Sequence, residues 1–395
     1  MRFASAIARD HDLESACRAA AATARDRLGG IAADFAIAFV SPRYGHDIER
    51  AAIWLGEHLG TRTLCGCTGG GIIGGGIEVE DQRAVAVLAA KLPGVTTHVL
   101  ELGNGDLPDA DGPPSAWHQL LPEPPDRVRA FLVLPEPFHF DAQALLAGLD
   151  FAWPSVPKIG GIASGSRHPD GHGLLIGRRV VRTGALLIAL CGNIDVQAVV
   201  AQGCKPLGAI GKVTRCAGQR VDQIDGMPAM QFLQAQLRQL ADAEEELTPH
   251  NPLFFGIAMD AFADPAAPGE FLIRNIHGVD PAGRLMVGEA PGTGRLVQFH
   301  IRDSATSALD LQQLLARGHV ESARGALLFS CLGRGKALYG RTGHDSDLFF
   351  AAAGEVPLVG FFCNGEIGPV GGSTFLHGYT SSFAIFRPAS AGNHG

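Results

Sequence analysis

Two glycine-rich segments near the C-terminus concentrate side chains capable of chemistry. Ser330-Cys331-Leu332-Gly333-Arg334-Gly335 sets a thiol close to a guanidinium. Phe361-Phe362-Cys363-Asn364-Gly365-Glu366-Ile367-Gly368-Pro369 adds a second thiol, an amide and a carboxylate. Each follows an apolar run that reads as a strand, and pockets form at the strand ends of mixed sheets, where glycine lets backbone approach a ligand closely. Cys331 is the candidate nucleophile. A reactive thiol needs a cation to stabilise its thiolate and a base to take its proton; Arg334 and Arg341 are close in sequence for the first role, His344 and His377 for the second. The alternative is a buried, inert thiol at a strand end. Glu366 stands in an apolar context, and burying a carboxylate is costly unless it is paired. It therefore either receives an ammonium or hydroxyl group of a ligand, or pairs with Arg334 or caps backbone amides.

Three further segments carry weaker signals. His377 and Tyr379 lie in Phe375-Leu376-His377-Gly378-Tyr379-Thr380, where a histidine reads either as a hydrogen-bonded core residue or as a contact to a ligand or haem. The absence of CxxCH excludes covalent haem attachment. Gln202-Gly203-Cys204-Lys205-Pro206-Leu207-Gly208 reads as a turn that presents Lys205 either to a carboxylate or acidic partner, or to solvent. The run from Gly66 through Cys67 and Thr68 to Gly76 contains a formal GxGxxG, but no helix follows it and no Walker lysine is present. A loop over a pocket, or a structural hairpin, fits it better than a phosphate cradle.

The elements that position these groups repeat three times. Ala36–Val40, Phe131–Leu134 and Ala326–Ser330 read as apolar strands, each followed by a helix with an expected aspartate cap: Asp47, Asp141 and Asp345. A strand-turn with glycine at the same place follows each time, in Leu64-Cys65-Gly66, Lys158-Ile159-Gly160 and Leu358-Val359-Gly360. A fourth element, a strand near Ala84–Ala90, Gly184–Cys191 or Ser381–Phe386, closes each unit. The first two strands of a unit should be parallel across a helical crossover and the last antiparallel. The expected fold is therefore α/β, with mixed β-sheets covered by helices and built from strand-helix-strand-strand units. Two more helices are expected, over Asp12–Leu28 and from near Pro228 to the acidic stretch 242–246, the latter with a core stripe of Met230, Leu233, Leu237 and Leu240.

Composition bounds the function. A chain of 395 residues with 46% hydrophobic and 18% charged residues can build well-packed cores, and Gly 52 with Pro 24 favours many short strands. A net charge of -8 without a basic run argues against nucleic-acid binding. No apolar run approaches membrane-spanning length, and Arg9, Asp10 and Asp12 interrupt the N-terminal apolar stretch, so no membrane association is expected and a cytoplasmic location is. The eight cysteines then read as reduced thiols, and without CxxC a metal site is disfavoured.

Four stretches, Gly66–Thr68, Gln202–Gly208, Ser330–Gly335 and Gly360–Pro369 with the tail Leu376–Ser381, resemble the FIST family, named for F-box and intracellular signal transduction proteins, and the resemblance spans nearly the whole chain. It implies two pseudo-symmetric lobes, FIST N-like over 1–220 and FIST C-like over 221–395. It also implies a stand-alone bacterial-type sensor, with neither an F-box-like segment nor a fused kinase, cyclase or methyl-accepting segment. Such a sensor binds a small polar ligand, an amino acid for example, performs no chemistry of its own and signals to another protein. By the resemblance, Glu366 or Asn364 would hold an ammonium and Arg334 or Lys205 a carboxylate. Cys331, His377, Tyr379, Cys204, Cys67 and Thr68 complete the expected ligand site. No cofactor is expected on this reading. A haem-binding nitric-oxide sensor, a Cys331-dependent enzyme of acyl or thiol transfer, and an interaction scaffold are the alternatives.

Overall fold

The computed structural model describes residues 1–61, 63–242, 252–260 and 271–389. The acidic end expected for the second helix, 243–246, and the side chain of Leu240 lie outside the described residues. The chain forms two compact units, one of residues 1–201 with 311–395 and one of 202–310.

The larger unit is a threefold repetition. The first repeat comprises β1 (Arg2–Ala8), α1 (Leu13–Arg27), β2 (Phe35–Val40), α2 (Ala51–Leu59), β3 (Leu64–Thr68), the hairpin β4 (Gly71–Gly74) and β5 (Ile77–Glu80), and β6 (Val85–Lys91). The second comprises β7 (Val95–Leu102), α3 (Pro114–His118), β8 (Val128–Pro135), α4 (Ala142–Ala152), β9 (Lys158–Gly161), the hairpin β10 (Leu174–Ile176) and β11 (Arg179–Val181), and β12 (Ala185–Gly192). The third begins with β13 (Asp195–Ala201) and is interrupted by the smaller unit.

That smaller unit contains β14 (Cys204–Ala217), β15 (Arg220–Ile224), β16 (Met227–Pro228), α5 (Ala229–Asp242), β17 (Leu253–Ala258), β18 (Phe271–Val279), β19 (Leu285–Val287) and β20 (Leu296–Arg302). Its strands follow the order β14-β20-β17-β18-β19-β15-β16, and β15 also pairs with β14, which closes the ring into an antiparallel barrel. Closure leaves few open edges. Met230, Leu233 and Leu237 of α5 pack with Val213, Phe255 and Phe299, so the expected stripe is core packing. After α6 (Ser304–Arg317) the third repeat resumes with β21 (Gly325–Cys331), α7 (Lys336–Tyr339), α8 (His344–Ala353), β22 (Leu358–Cys363), the hairpin β23 (Glu366–Val370) and β24 (Ser373–His377), and β25 (Ser381–Arg387).

The parallel pairs β2–β3, β8–β9 and β21–β22, each flanked by an antiparallel last strand, match the expected unit. Each sheet has the same order: β1-β6-β2-β3, β7-β12-β8-β9 and β13-β25-β21-β22. Each is then extended by a hairpin from a different repeat: β10–β11, β23–β24 and β4–β5, respectively. The sheets share one inner core in which Phe39, Phe329 and Phe361 meet at ring separations of 4.8, 5.7 and 6.3 Å. On the outer faces, α1 and α2 cover the first sheet, α3 and α4 the second, and α6 and α8 the third.

The recurring glycine has a steric cause. A Cβ on Gly66, Gly160 or Gly360 would lie 1.8, 1.9 or 1.8 Å from the carbonyl oxygen of Ala38, Val133 or Leu328 on the parallel neighbour.

Several local expectations are corrected. Asp141 does cap α4, accepting from Ala144 N at 2.9 Å, and α1 is capped by Asp12, which accepts from Ser15 N at 2.8 Å. Asp47 instead lies in a 3₁₀ segment before α2, and Asp345 lies inside α8, whose N-cap is Gly343. The Gly66–Gly76 run is the end of β3 and the hairpin β4–β5, turning through Gly75 and Gly76 at φ 57° and 86°, the positive pair that a tight hairpin requires. Cys204 and Lys205 stand on β14 and not in a turn; Pro206 pairs with His300 of β20, on a stretch of β14 that β15 does not reach, and the ladder is irregular only between Leu207 and Gly211.

Candidate functional site

The ends of β21 and β22 carry a buried polar cluster that joins much of the expected site. Arg334 is 0% exposed. Its Nε donates to Asp345 Oδ2 at 2.8 Å, and its Nη2 donates to Asp345 Oδ1 at 3.0 Å and to the Tyr339 hydroxyl at 2.7 Å. Ser330 Oγ donates to Asp345 Oδ2 at 3.1 Å, Ser381 Oγ donates to the same oxygen, and His344 Nδ1 lies 3.0 Å from Oδ1. The His344 ring stacks on Tyr339 with centroids 3.4 Å apart. Burial alone would push the Asp345 carboxyl up, but the Arg334 guanidinium and these hydrogen bonds outweigh it and hold the carboxyl well below the usual range.

Glu366 forms a second centre, also 0% exposed. Its Oε2 accepts from the Thr380 backbone N and hydroxyl, both at 2.9 Å, and its Oε1 accepts from Cys363 Sγ at 3.2 Å. Burial raises this carboxyl to about 7, against the lowering effect of the Thr380 and Cys363 hydrogen bonds and of Arg334. Glu78 of β5 is a third. It accepts from Ser346 N at 2.8 Å, Ser346 Oγ at 2.9 Å and Gly343 N at 3.0 Å, and is raised to about 7 by burial and then by the Asp345 charge.

The other two repeats serve as internal controls. Ser330 faces Ser381 across β21 and β25, where the matching pairs are Val40 with Val85 and Pro135 with Ala185. Glu366 sits where the other hairpins place Ile72 and Leu174. Ser330, Ser381 and Glu366 are therefore particular to the third repeat and not a requirement of the architecture.

The strand-end turns of all three repeats meet here. Ser164 N donates to the Thr68 carbonyl at 3.1 Å, Gly70 N to the Phe362 carbonyl at 3.3 Å, and Asn364 N to the Ile162 carbonyl at 3.2 Å. Cys67 and Thr68 are fully buried, so they shape the junction without presenting side chains to a ligand. Asn364 is exposed, and Cys331 and Tyr379 are partly exposed. Tyr379 adopts φ 65°, a left-handed conformation rare for a side chain of that size.

Two assignments change. Arg334 does not offer its charge to a ligand carboxylate, because Asp345 and Tyr339 already engage it. His377 is buried on β24 with Nε2 at 3.0 Å from the Gly368 carbonyl, an arrangement that does not fit an axial haem ligand. Cys204 and Lys205 belong to the barrel unit. Among the described residues no group of three or more His, Cys, Asp or Glu side chains is arranged to hold a metal ion, and no helix is long and apolar enough to cross a membrane. Sequence reasoning missed Ser330, Ser381, Thr380, Tyr339 and Glu78. Aligning the three repeats on their shared glycine shows serine and glutamate where valine, proline, isoleucine or leucine is the rule.

A FIST N domain matches residues 34–227 and a FIST C domain residues 229–369. The uncharacterised protein Rv0628c of Mycobacterium tuberculosis (strain H37Rv) is 33% identical over 393 residues, covering 98% of this chain and 100% of that protein. The uncharacterised protein Mb0898c of Mycobacterium bovis is 32% identical over 396 residues, covering 98% and 99%. Among solved structures, a cyanuric acid hydrolase aligns over 98% of this chain and 99% of its own at 10% identity and a TM-score of 0.33, and a second, from A. caulinodans, aligns at 8% and 0.34 with the same coverage. With both of its domains present and relatives matching from end to end, the chain belongs to the FIST family of sensory, signal-transduction domains.

Proposed function

We propose that this protein is a cytoplasmic sensor that binds a small polar metabolite, of the amino-acid class, at the strand-end turns of its third repeat and passes the signal to another protein. The observation that carries this reading is the contrast between repeats. The buried hydroxyls of Ser330 and Ser381 and the buried carboxyl of Glu366 occupy positions the fold fills elsewhere with aliphatic side chains, and Ser330 and Ser381 join the buried Arg334–Asp345 pair. Buried ionic groups are expensive and are seldom kept for stability alone. Of the site residues expected there, Asn364, Cys331 and Tyr379 reach the surface, so they contact the ligand, while Arg334 and Glu366 hold the turns that present them.

Native mass spectrometry of gently purified protein, compared with the same sample denatured, tests the reading. An excess mass lost on denaturation is expected, reduced in Asn364→Ala and Tyr379→Ala. An excess unchanged in both variants refutes the site. A bare mass, with no thermal shift across a panel of amino acids, refutes the ligand class.

A further inference from the structure

Directly paired residues of neighbouring parallel strands project to the same side of the sheet. Cys331 ends β21, Cys363 ends β22, and the two are register partners. Strands in a sheet lie about 4.8 Å apart, inside the Cα separations of roughly 4.4–6.8 Å that a disulfide spans. The matching positions of the other repeats are Ser41 with Gly69 and Glu136 with Ala163, so the thiol pair, like Glu366, is particular to the third repeat.

The two thiols differ in access and surroundings. Cys331 is partly exposed and Cys363 is buried. Gly333 N donates to Cys331 Sγ at 3.4 Å, and a Cys331 thiolate and the Arg334 guanidinium stabilise one another. Cys363 Sγ is bonded to Glu366 Oε1 at 3.2 Å, a carboxyl whose titration near 7 suits it to receive and return a proton.

We propose that Cys331 and Cys363 form a peroxide-responsive pair, in which Cys331 is oxidised by a hydroperoxide and Cys363 resolves it to an internal disulfide. In the first step the Cys331 thiolate attacks the peroxide. An S–O bond forms, the O–O bond breaks, and the departing alkoxide, or hydroxide from hydrogen peroxide, takes up a proton. Cys331 becomes a sulfenic acid, losing two electrons to the peroxide. In the second step Cys363 passes its proton to Glu366 and attacks the Cys331 sulfur. An S–S bond forms, the S–O bond breaks, and hydroxide leaves as water with the proton that Glu366 returns. Two thiols and one hydroperoxide thus give one disulfide, one alcohol (water from hydrogen peroxide) and one water. The disulfide removes the thiol donor from Glu366, so oxidation is felt at the Thr380 turn beside Tyr379.

The test is graded hydrogen peroxide on the full-length protein, followed by non-reducing peptide mapping. A Cys331–Cys363 linkage is expected before modification of any other thiol. Cys331→Ser abolishes the linkage, and Cys363→Ser stops at a sulfenic acid on Cys331 that dimedone traps. First oxidation at Cys204 or Cys216 with Cys331 still reduced overturns the proposal, as does Cys331 passing to sulfinic acid in the wild type without linking to Cys363. Should Cys363→Ser fail to fold, diamide oxidation of the wild type decides, since it needs no sulfenic intermediate. Failure of that treatment to link the pair also overturns it.

Discussion

Substituting Glu366 by glutamine removes one titrating carboxyl from the third repeat while keeping its shape. The amide oxygen can still accept from Thr380, and the NH₂ group can face the Cys363 sulfur. The carboxyl titrates at 4.5 when unperturbed and at about 7 in the folded protein, chiefly through burial. Below pH 4.5 it carries its proton in both folded and unfolded chains and contributes nothing to pH dependence. Between 4.5 and about 7 the unfolded chain has released the proton and the folded chain keeps it, so stability falls as pH rises. Above about pH 7 the penalty is complete and amounts to about 3 kcal/mol. Glu78 titrates in the same direction, so the wild-type slope alone identifies neither residue. The assay is therefore a difference between denaturant-unfolding free energies of wild type and Glu366→Gln, measured from about pH 5 to about pH 8. The variant should gain on wild type by about 3 kcal/mol across that window. A difference that stays constant with pH would refute the reasoning, because it would mean that Glu366 is already ionised in the folded protein.

Arg334→Met leaves Asp345 buried without its cation and should cost about 3–5 kcal/mol in denaturant unfolding. Adding Asp345→Leu should recover most of that loss, and a double variant no more stable than Arg334→Met would contradict the account. Alanine at Gly66, Gly160 or Gly360 should prevent soluble expression in all three cases, since each Cβ meets a backbone carbonyl at under 2 Å; tolerance at any one would show that its parallel pair is looser than described. Alkylation at neutral pH under native conditions should reach Cys331 before the other thiols of the larger unit, because Cys17 and Cys191 are pushed up to about 12 and about 11 by burial and Cys65, Cys67 and Cys363 are also buried. Peptide mapping after a short exposure checks the order.

The glycine at the third position of each strand-turn was legible because sterics between parallel strands leave no room for a Cβ, and that constraint acts wherever the pair recurs. The apolar strands, the cap at Asp141 and the stripe on α5 were legible for the same reason: their causes are local. The hairpins β10–β11 and β23–β24 were not, because strands as short as Leu174–Ile176 carry little periodicity and their sheet partners lie in another repeat. Asp345 looked like a helix cap because aspartate near a helix start usually is one; only burial and the approach of Arg334 reveal its role. Pro206 and Gly208 suggested a turn around Cys204, but Pro206 sits in register on β14 and the irregular ladder between Leu207 and Gly211 takes in Gly208. Arg334 and Glu366 were recognisable as unusual. That each is already engaged, one by Asp345 and the other by Thr380 and Cys363, depends on residues 11 to 14 positions away or at a strand bend, which no spacing rule connects.

The hairpin exchange runs in a ring, and this constrains how the protein can be made. The hairpin β4–β5 is synthesised early, but its docking strand β22 emerges only near the end of translation. A nascent chain that has completed two repeats therefore holds one hairpin with nowhere to dock and one sheet still waiting for β23–β24. Closing contacts so distant in sequence is slow, and the waiting strand edges are open to wrong partners. The same ring restricts evolution. Deleting one repeat strands a hairpin and leaves a sheet unfinished, whereas an insertion between β13 and α6 disturbs no exchanged hairpin, and that is where the barrel unit lies.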